Sequence, residues 1–176
     1  TAFAKALRAH VVPVHCQSTP LLDTCGTGGG AYRVFNVSTT AAFVLATAGV
    51  KVAKHGNRAM SGVCGSADVL EALGVRLQMT PEQSAACIDT VGIGFLFAQQ
   101  HHPAMKQVAL PRREIGVRTL FNLLGPLTNP AGATQQVMGL YDPALCPLAI
   151  GTLRALGCAR ALVFHAEVGM VEIARS

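Results

Sequence analysis

Four glycines within five residues, from Gly26 to Gly30, are the part of this chain best suited to bind an anion. They follow the apolar pair Leu21-Leu22 and precede a predicted helix start at Asn36-Val37-Ser38-Thr39-Thr40. Glycine lets the backbone approach a ligand closely and adopt positive φ, so several N–H groups can converge on one anion. The helix start adds unpaired N–H groups and the positive end of a dipole. Phosphate is the expected ligand, and a mobile turn is the alternative that a glycine run alone leaves open.

The glycine loop fits neither of two common nucleotide motifs. No lysine followed by Ser or Thr comes after the glycines, which excludes the nucleotide-binding P-loop. The dinucleotide pattern needs its third glycine inside the helix start, where this chain has Tyr32-Arg33-Val34.

A second polar cluster, Lys54-His55-Gly56-Asn57-Arg58, follows the alternating stretch Val50-Lys51-Val52-Ala53, which predicts a short strand. The carboxyl ends of strands in open α/β sheets are where ligands bind. Lys54 can neutralise a phosphate as a point charge, and Arg58 can pair with two oxygens through its planar fork. A solvated basic turn is the alternative interpretation. Two hydroxyl donors come next: Ser61 and Ser66.

Composition sets broader limits. A chain of 176 residues with 51% hydrophobic and 13% charged residues indicates a packed α/β interior, and its low charge favours an oligomer. No segment is typical of a membrane span or a signal peptide, so a cytoplasmic protein is expected. The six cysteines form no C-x-x-C pair, which predicts buried free thiols. The net charge of +5 suits an anionic substrate or nucleic acid, but no basic run with interleaved aromatic residues supports nucleic acid.

The chain alternates predicted strands and helices, which indicates an α/β fold with a mainly parallel sheet and flanking helices. Residues 102–124 interrupt the alternation with prolines and no strand pattern, and short helices are predicted there. The predicted strands are residues 21–25, 50–54, 93–97, 137–141 and 161–165, and the longer predicted helices are residues 38–48, 80–90 and 143–156.

Taken together, the motifs resemble the anthranilate phosphoribosyltransferase family of tryptophan biosynthesis, from about Leu21 to the end of the chain. The blocks that carry the resemblance are Gly26-Thr27-Gly28-Gly29, Asn36-x-Ser38-Thr39, Lys54-His55-Gly56-Asn57-Arg58, Gly65-Ser66-Ala67-Asp68, His102-Pro103-Ala104-Met105, Arg112, and the run Gly116-Val117-Arg118-Thr119 with its continuation to Asn129-Pro130.

The resemblance implies a nucleoside phosphorylase/phosphoribosyltransferase-like fold, in which a small helical domain packs beside the α/β domain. Residues 1–20 and 102–130 would then belong to the small domain, and residues 21–101 and 131–176 to the α/β domain. Family members extend beyond this chain on both sides, so a chain truncated at both ends is expected.

The reaction implied is transfer of the phosphoribosyl group from 5-phosphoribosyl 1-diphosphate to the amine of anthranilate, with release of diphosphate. The resemblance also implies Mg²⁺ as cofactor and a homodimer, and it implies no side chain acting as general acid or base. His55 and His102 could equally satisfy local hydrogen bonds. The residues implied for the phosphoribosyl donor are Gly26, Gly29, Gly30, Asn36, Ser38, Thr39, Lys54, His55, Gly56, Asn57, Arg58, Ser61, Gly62 and Ser66; those for anthranilate are Gly26, Asn57 and Arg112; those for the metal are Ser38 and Glu172.

Three positions depart from the family pattern. Gly30 stands where the family has an aspartate that closes the glycine loop, and Val34 stands where it has a threonine. Val171 replaces the aspartate of an Asp-Glu pair that binds magnesium, so Glu172 is the carboxylate left. These departures leave open a degenerate or non-enzymatic relative that binds phosphate-rich ligands or nucleic acid. A pyrimidine nucleoside phosphorylase is a third possibility, against which the intact Lys54 motif argues.

Overall fold

The computed structural model describes residues 1–30, 34–59 and 64–173, apart from the side chain of Arg113, and its centre is a five-stranded sheet. All strand pairings are parallel. This confirms the predicted α/β fold. The strands are β1 (Leu22–Asp23), β2 (Val52–Gly56), β3 (Ile93–Phe97), β4 (Gln135–Gly139) and β5 (Arg160–Phe164), in the order β3-β2-β1-β4-β5.

The order of the strands places a topological switch point between β1 and β4. From β1 the chain adds β2 and then β3 on one side, and it returns to add β4 and β5 on the other side. In sheets of this kind the loops that follow the two central strands diverge and leave a crevice at their carboxyl ends. The glycine loop follows β1 directly, so it lies at this crevice.

Helices flank the sheet, and their limits follow local sequence signals. The helix from Pro81 begins with a capping box, in which Thr80 Oγ1 accepts from Gln83 N and Gln83 Oε1 accepts from Thr80 N. It ends at Gly92, whose φ is 96°. The helices are α1 (Ala2–Ala9), α2 (Val37–Thr47), α3 (Ser66–Ala72), α4 (Pro81–Val91), α5 (Ala98–His101), α6 (Lys106–Ile115), α7 (Phe121–Leu124) and α8 (Cys146–Ala155), with 3-10 turns at Pro103–Met105, Gly125–Leu127 and Pro143–Leu145.

The strand predicted at residues 50–54 begins two residues later, at Val52. The cause is that Val50 N donates to Leu45 O, so Val50 completes the end of α2 and does not start the strand. Lys54 and His55 therefore lie inside β2 and are buried, whereas the sequence alone placed Lys54 at the end of the strand and His55 after it. The strands β4 and β5 are likewise displaced from the predicted ranges, by two residues and one residue respectively.

The core covers both faces of the sheet. Successive side chains of a strand point to opposite faces, and Leu96 joins a different apolar cluster from Phe95 and Phe97. A third cluster joins α1 and the short helices predicted at residues 102–124 to the β4 side of the sheet. Its members are Ala4, Leu123, Leu124, Leu127, Met138, Leu140, Ala149 and Leu153.

Some apolar surface is exposed in the described part of the chain. Residues 160–162 of the edge strand β5 are exposed, including Leu162, and so are Phe43 and Val44 of α2. None of the described helices has the length and apolar character that a membrane crossing requires. The six cysteines are free thiols, but the prediction that they are buried is wrong: Cys64 is exposed and the others are half-buried.

A buried hydrogen-bond network around Asp23 joins the central strands. Asp23 Oδ1 accepts from Cys25 N and from His55 N at 3.0 and 3.1 Å, and its Oδ2 accepts from Asn129 Nδ2 at 2.8 Å. The same Asn129 amide donates to Ala53 O, and its Oδ1 accepts from Ala131 N. One side chain from the connection into β4 thus fixes β1 against β2.

We expect Asn129→Ala to lower the free energy of unfolding by about 3 kcal/mol, because it leaves a buried carboxylate oxygen and a buried carbonyl without a partner. Urea denaturation at pH 7 measures this change. The control is Gln99→Ala at an exposed position of α5, which should change stability by less than about 0.5 kcal/mol. A loss below about 1 kcal/mol for Asn129→Ala would contradict this role.

Candidate functional site

The glycine loop is held against the end of β4. Thr27 N donates to Gly139 O at 3.0 Å, and Thr27 Oγ1 accepts from Tyr141 N at 3.1 Å. Gly28 and Gly29 have φ values of 63° and 74°, which favour glycine. A Cβ on Gly26 would lie only 2.8 Å from Gly139 O, so this position also requires glycine. The loop predicted to bind phosphate is therefore an anchored turn at the switch point of the sheet.

Lys54 places a buried positive charge beneath this loop. Its side chain extends from β2, and Nζ donates to Thr24 Oγ1 at 3.2 Å and to Ser38 Oγ at 3.4 Å. Thr24 lies at the start of the glycine loop and Ser38 in the first turn of α2. Burial lowers the pKa of Lys54, and the nearby Asp23 carboxylate opposes this shift. The ammonium thus connects the two backbone elements that the sequence predicted to bind an anion.

The start of α2 is available to an anion. Asn36 is the N-cap, yet its side chain makes no capping hydrogen bond and donates instead to Cys64 Sγ at 3.7 Å. The hydroxyl of Thr39 is buried without a hydrogen-bond partner in the described structure. Backbone N–H groups in the first turn of a helix attract negative charge, but in α2 Val37 N donates to Phe35 O and Thr39 N donates to Asn36 O. Of the three residues predicted here, Ser38 contacts Lys54 directly, and anion binding by Asn36, Ser38 and Thr39 stays a prediction.

Two histidines meet below the site. His55 Nε2 lies 3.0 Å from His102 Nε2, and both rings are buried. One nitrogen must donate and the other accept, so at least one of the two rings is neutral. Burial, reinforced by neighbouring histidines, lowers the pKa of His55 to about 3 and that of His102 to about 4. The pair joins β2 to the first residue of the short helical segment, a structural contact that sequence reasoning allowed for both residues.

The turn after β2 uses its polar groups within the protein. Arg58 pairs with both carboxylate oxygens of Glu71, at 2.7 and 2.9 Å, and with Asp68 at 3.1 Å, which raises its pKa. Ser66 Oγ donates to Asn57 O, and a Cβ on Gly56 would collide with that hydroxyl. The fork of Arg58, predicted to hold phosphate, is thus occupied by a carboxylate. Two other predicted donor residues, Ser61 and Gly62, lie outside the described residues.

Arg112 lies on α6 with its guanidinium 5.4 Å from the centre of the Phe121 ring. Partial burial lowers the pKa of Arg112. A partly desolvated guanidinium on an aromatic face binds a carboxylate more strongly than a fully hydrated one.

The positions implied for magnesium fit the ion poorly. A Cβ on Gly30 would lie 3.3 Å from Val171 N and 3.5 Å from Val171 Cγ2, so the two departures from the family pattern are neighbours. Val171 offers hydrocarbon, and burial raises the pKa of Glu172, the one carboxylate left in this pair. The Ser38 hydroxyl already accepts from the Lys54 ammonium. Magnesium requires hard oxygen ligands in octahedral geometry, and these residues supply few.

Asp23, Cys25 and His55 also bring a carboxylate oxygen, a sulfur and an imidazole nitrogen within 4.8 Å of one another. The Asp23 oxygens already accept three hydrogen bonds, and burial raises the pKa of the Cys25 thiol, which keeps it protonated. Metal ions bind thiolates rather than thiols. This cluster therefore acts as the hydrogen-bonded centre of the fold.

Sequence reasoning missed three residues that organise the site: Asp23, Asn129 and Arg118. Asp23 could have been noticed as a carboxylate between an apolar strand and the glycines. Asn129 and Arg118 lie in a block that carries the family resemblance, but nothing local indicates their partners. Arg118 Nη2 donates to Gly29 O, 89 residues away in the chain.

Comparison with known proteins shows which family the chain resembles along nearly its whole length. Residues 18–176 match the family described as "Glycosyl transferase family, a/b domain". The anthranilate phosphoribosyltransferase of Methylococcus capsulatus is 59% identical over 98% of this chain and 50% of its own length. The crystal structure of the Thermus thermophilus enzyme of that name superimposes with a TM-score of 0.93 and 52% identity, over 98% of this chain and 52% of its own.

A more distant relative was solved with ligands. The anthranilate phosphoribosyltransferase of Saccharomyces cerevisiae, in complex with PRPP and Mg, is 31% identical with a TM-score of 0.88, over 97% of this chain and 48% of its own. These matches confirm the resemblance inferred from the motifs. The chain spans about half the length of the relatives it matches.

The histidine pair predicts a loss of stability in acid. Between pH 6.5 and about 4 the unfolded chain binds protons that His55 and His102 exclude in the fold, so the free energy of unfolding falls as the pH falls. Asp23, whose pKa burial raises to about 6, acts in the opposite direction over part of this range. We expect His102→Asn to reduce the loss between pH 7 and pH 5 by about 1–2 kcal/mol.

Urea midpoints at pH 7 and pH 5 measure this difference. His10→Asn, on the exposed end of α1, is the matched control and should retain the unmodified protein's pH dependence. An equal pH dependence in the His102→Asn variant and the unmodified protein would show that the pair is not held neutral.

Proposed function

This chain belongs to the glycosyl transferase family represented by that a/b domain, and on this premise we propose that it serves as an anthranilate phosphoribosyltransferase. The reaction transfers the phosphoribosyl group of 5-phosphoribosyl 1-diphosphate to the anthranilate amine, a step of tryptophan biosynthesis. The observation that carries the proposal is the buried Lys54, whose ammonium contacts both the glycine loop and the start of α2. A fixed cation there suits a diphosphate.

The chemistry needs binding and orientation more than proton transfer by side chains. The amine nitrogen attacks C1 of the ribose as the bond from C1 to the diphosphate oxygen breaks, and the new ammonium then loses a proton. The leaving diphosphate carries the developing negative charge, which Lys54, the loop N–H groups and the start of α2 would stabilise. Holding both reactants in line supplies much of the remaining rate enhancement. The transition state is oxocarbenium-like by analogy with other glycosyl transfer.

The predicted donor residues have different positions and roles under this proposal. Gly26, Gly29 and Gly30 with Asn36, Ser38, Thr39 and Lys54 would surround the diphosphate. His55 and Gly56 support them from β2, and Asn57 and Ser66 lie at the turn beyond it. Arg58 would bind phosphate only in competition with two carboxylates.

Anthranilate would bind through its carboxylate. Arg112 is the proposed partner, since a guanidinium pairs with a carboxylate through two hydrogen bonds. Asn57 and Gly26 complete the predicted pocket. The proposal extends to a homodimer located in the cytoplasm. Sedimentation of the purified protein would test the dimer.

A second candidate is a relative that binds phosphate-rich ligands without catalysing transfer. Gly30 and Val171 favour it, because together they remove two carboxylates that the resemblance implies. This candidate keeps the site of Lys54 and has no use for an anthranilate pocket. Transferase activity separates the two.

The first test follows anthranilate fluorescence with the phosphoribosyl donor and Mg²⁺. We expect a loss of signal that requires the protein and both substrates, and a decrease of at least about 100-fold in kcat/KM for Lys54→Met. Lys51→Met is the matched control. Lys51 directly precedes β2, at the end of the strand away from the glycine loop, and its Nζ donates to Asp89 O, so this substitution should not affect turnover. Diphosphate binding without turnover by the folded, unmodified protein would favour the second candidate.

Gly30 and Val171, the two neighbouring departures from the family pattern, predict that the protein binds magnesium weakly. We expect the double variant Gly30→Asp with Val171→Asp to bind inorganic diphosphate at least about tenfold more tightly when Mg²⁺ is present than when it is absent. The unmodified protein should show a smaller difference. Titration calorimetry measures both constants without relying on turnover.

Val168→Asp is the control for this experiment, because Val168 is exposed in the same turn. It adds one carboxylate close by in the chain and should leave the magnesium dependence unchanged. The interpretation is wrong if the unmodified protein already shows the full magnesium effect, or if the double variant shows none.

A further inference from the structure

Arg118 bridges the helical segment and the glycine loop. It lies between α6 and α7, and its Nη2 donates to Gly29 O at 2.7 Å. The approach is close enough that a Cβ on Gly29 would lie 3.1 Å from the same nitrogen. Arg118 thus contacts Gly29, whose φ of 74° is larger than the 63° of Gly28 in the same loop.

The guanidinium is itself held by Tyr141. Its central carbon lies 4.5 Å from the centre of the Tyr141 ring, within the range of a cation–π contact. The backbone N–H of Tyr141 donates to Thr27 Oγ1. One residue after β4 therefore supports the loop at two points, directly at Thr27 and through Arg118 at Gly29.

The contact fixes more than one carbonyl group. A peptide is planar and trans, so the Gly29 C=O and the Gly30 N–H point in opposite directions. When Arg118 holds the carbonyl on one side, the N–H is presented on the other. The ion pairs seen among the described residues involve Arg58, and no carboxylate there pairs with Arg118, whose charge therefore adds to the positive potential at the loop.

We infer that Arg118 is a positioning residue for the donor's diphosphate: through Gly29 it fixes the orientation of the glycine loop, and Tyr141 fixes Arg118. The identity of the ligand in this inference rests on the proposed function. The contact between Arg118 and the glycine loop does not depend on that function. Arg118 is largely exposed, so its removal should loosen the loop and leave the fold intact.

Hydrogen exchange tests the contact independently of any ligand. In the Arg118→Ala variant the amide of Thr27, which donates to Gly139 O, should exchange roughly tenfold faster, with an unchanged urea midpoint. Arg154→Ala, an exposed arginine on α8, is the control and should leave the Thr27 amide unaffected. Unchanged exchange in the loop of Arg118→Ala would overturn the inference, whatever the activity.

Inorganic diphosphate then tests the link to the ligand. By calorimetry Arg118→Ala should weaken diphosphate binding about tenfold, and Arg118→Lys should fall between the two proteins, because an ammonium reaches the carbonyl but cannot lie flat on the Tyr141 ring. Tyr141→Leu should resemble Arg118→Ala, whereas Tyr141→Phe should resemble the unmodified protein.

Turnover adds a distinction that loss of structure would not produce. Arg118→Ala should raise the KM of the phosphoribosyl donor roughly tenfold with little change for anthranilate, and Arg112→Ala should do the reverse. Equal increases in both constants for Arg118→Ala would overturn the inference. Absence of diphosphate binding by the unmodified protein would instead contradict the proposed function.

Discussion

The carboxylate of Asp23 is fully buried at the end of the central strand, where an isolated charge would be strongly destabilising. Two backbone N–H groups and the Asn129 amide donate to it, and the Lys54 ammonium lies nearby. Even so, burial raises its pKa to about 6, so the carboxylate is ionised at neutral pH but not far from protonation. The elements that must supply these groups are β2, the glycine loop and the connection into β4. Satisfying one buried charge therefore aligns the three segments that border the crevice.

The same charge explains why a lysine can be buried at the anion site. Burial lowers the pKa of Lys54, and the Asp23 carboxylate offsets part of that effect. The ammonium is held by hydroxyls on two elements, so it cannot move away from the loop as a surface lysine would. A preorganised cation requires little rearrangement when an anion arrives, which is the condition for strong electrostatic stabilisation. The cost is the burial of two opposite charges, which contributes little to stability by itself.

The sequence correctly predicted those structural features that depend on residues only a few positions apart. The strand Ile93–Phe97 was found where predicted, and the helix predicted at residues 80–90 was found within one residue of that range, since both follow from residue types within a few positions. The start of β2 was placed two residues early, because the hydrogen bond from Val50 N to Leu45 O belongs to the end of a helix and leaves no trace in an alternating pattern. Asn129 was overlooked because its partners lie 106 and 76 residues away. Arg58 was assigned to phosphate because its carboxylate partners become neighbours only in the fold.

The two departures at Gly30 and Val171 are best understood as one change. A Cβ on Gly30 would lie 3.3 Å from Val171 N, so aspartates at both positions would bring two like charges close together, which favours a bound cation or raises the pKa of one carboxyl group. With neither carboxylate present, this repulsion is absent, and so is the preference for a cation that it creates. Negative charge on a ligand would then be balanced by groups that belong to the chain itself: the ammonium of Lys54, the start of α2, and loop N–H groups whose orientation depends on Arg118. A site of this composition depends on how firmly the loop is held, because each N–H contributes only if it points at the anion.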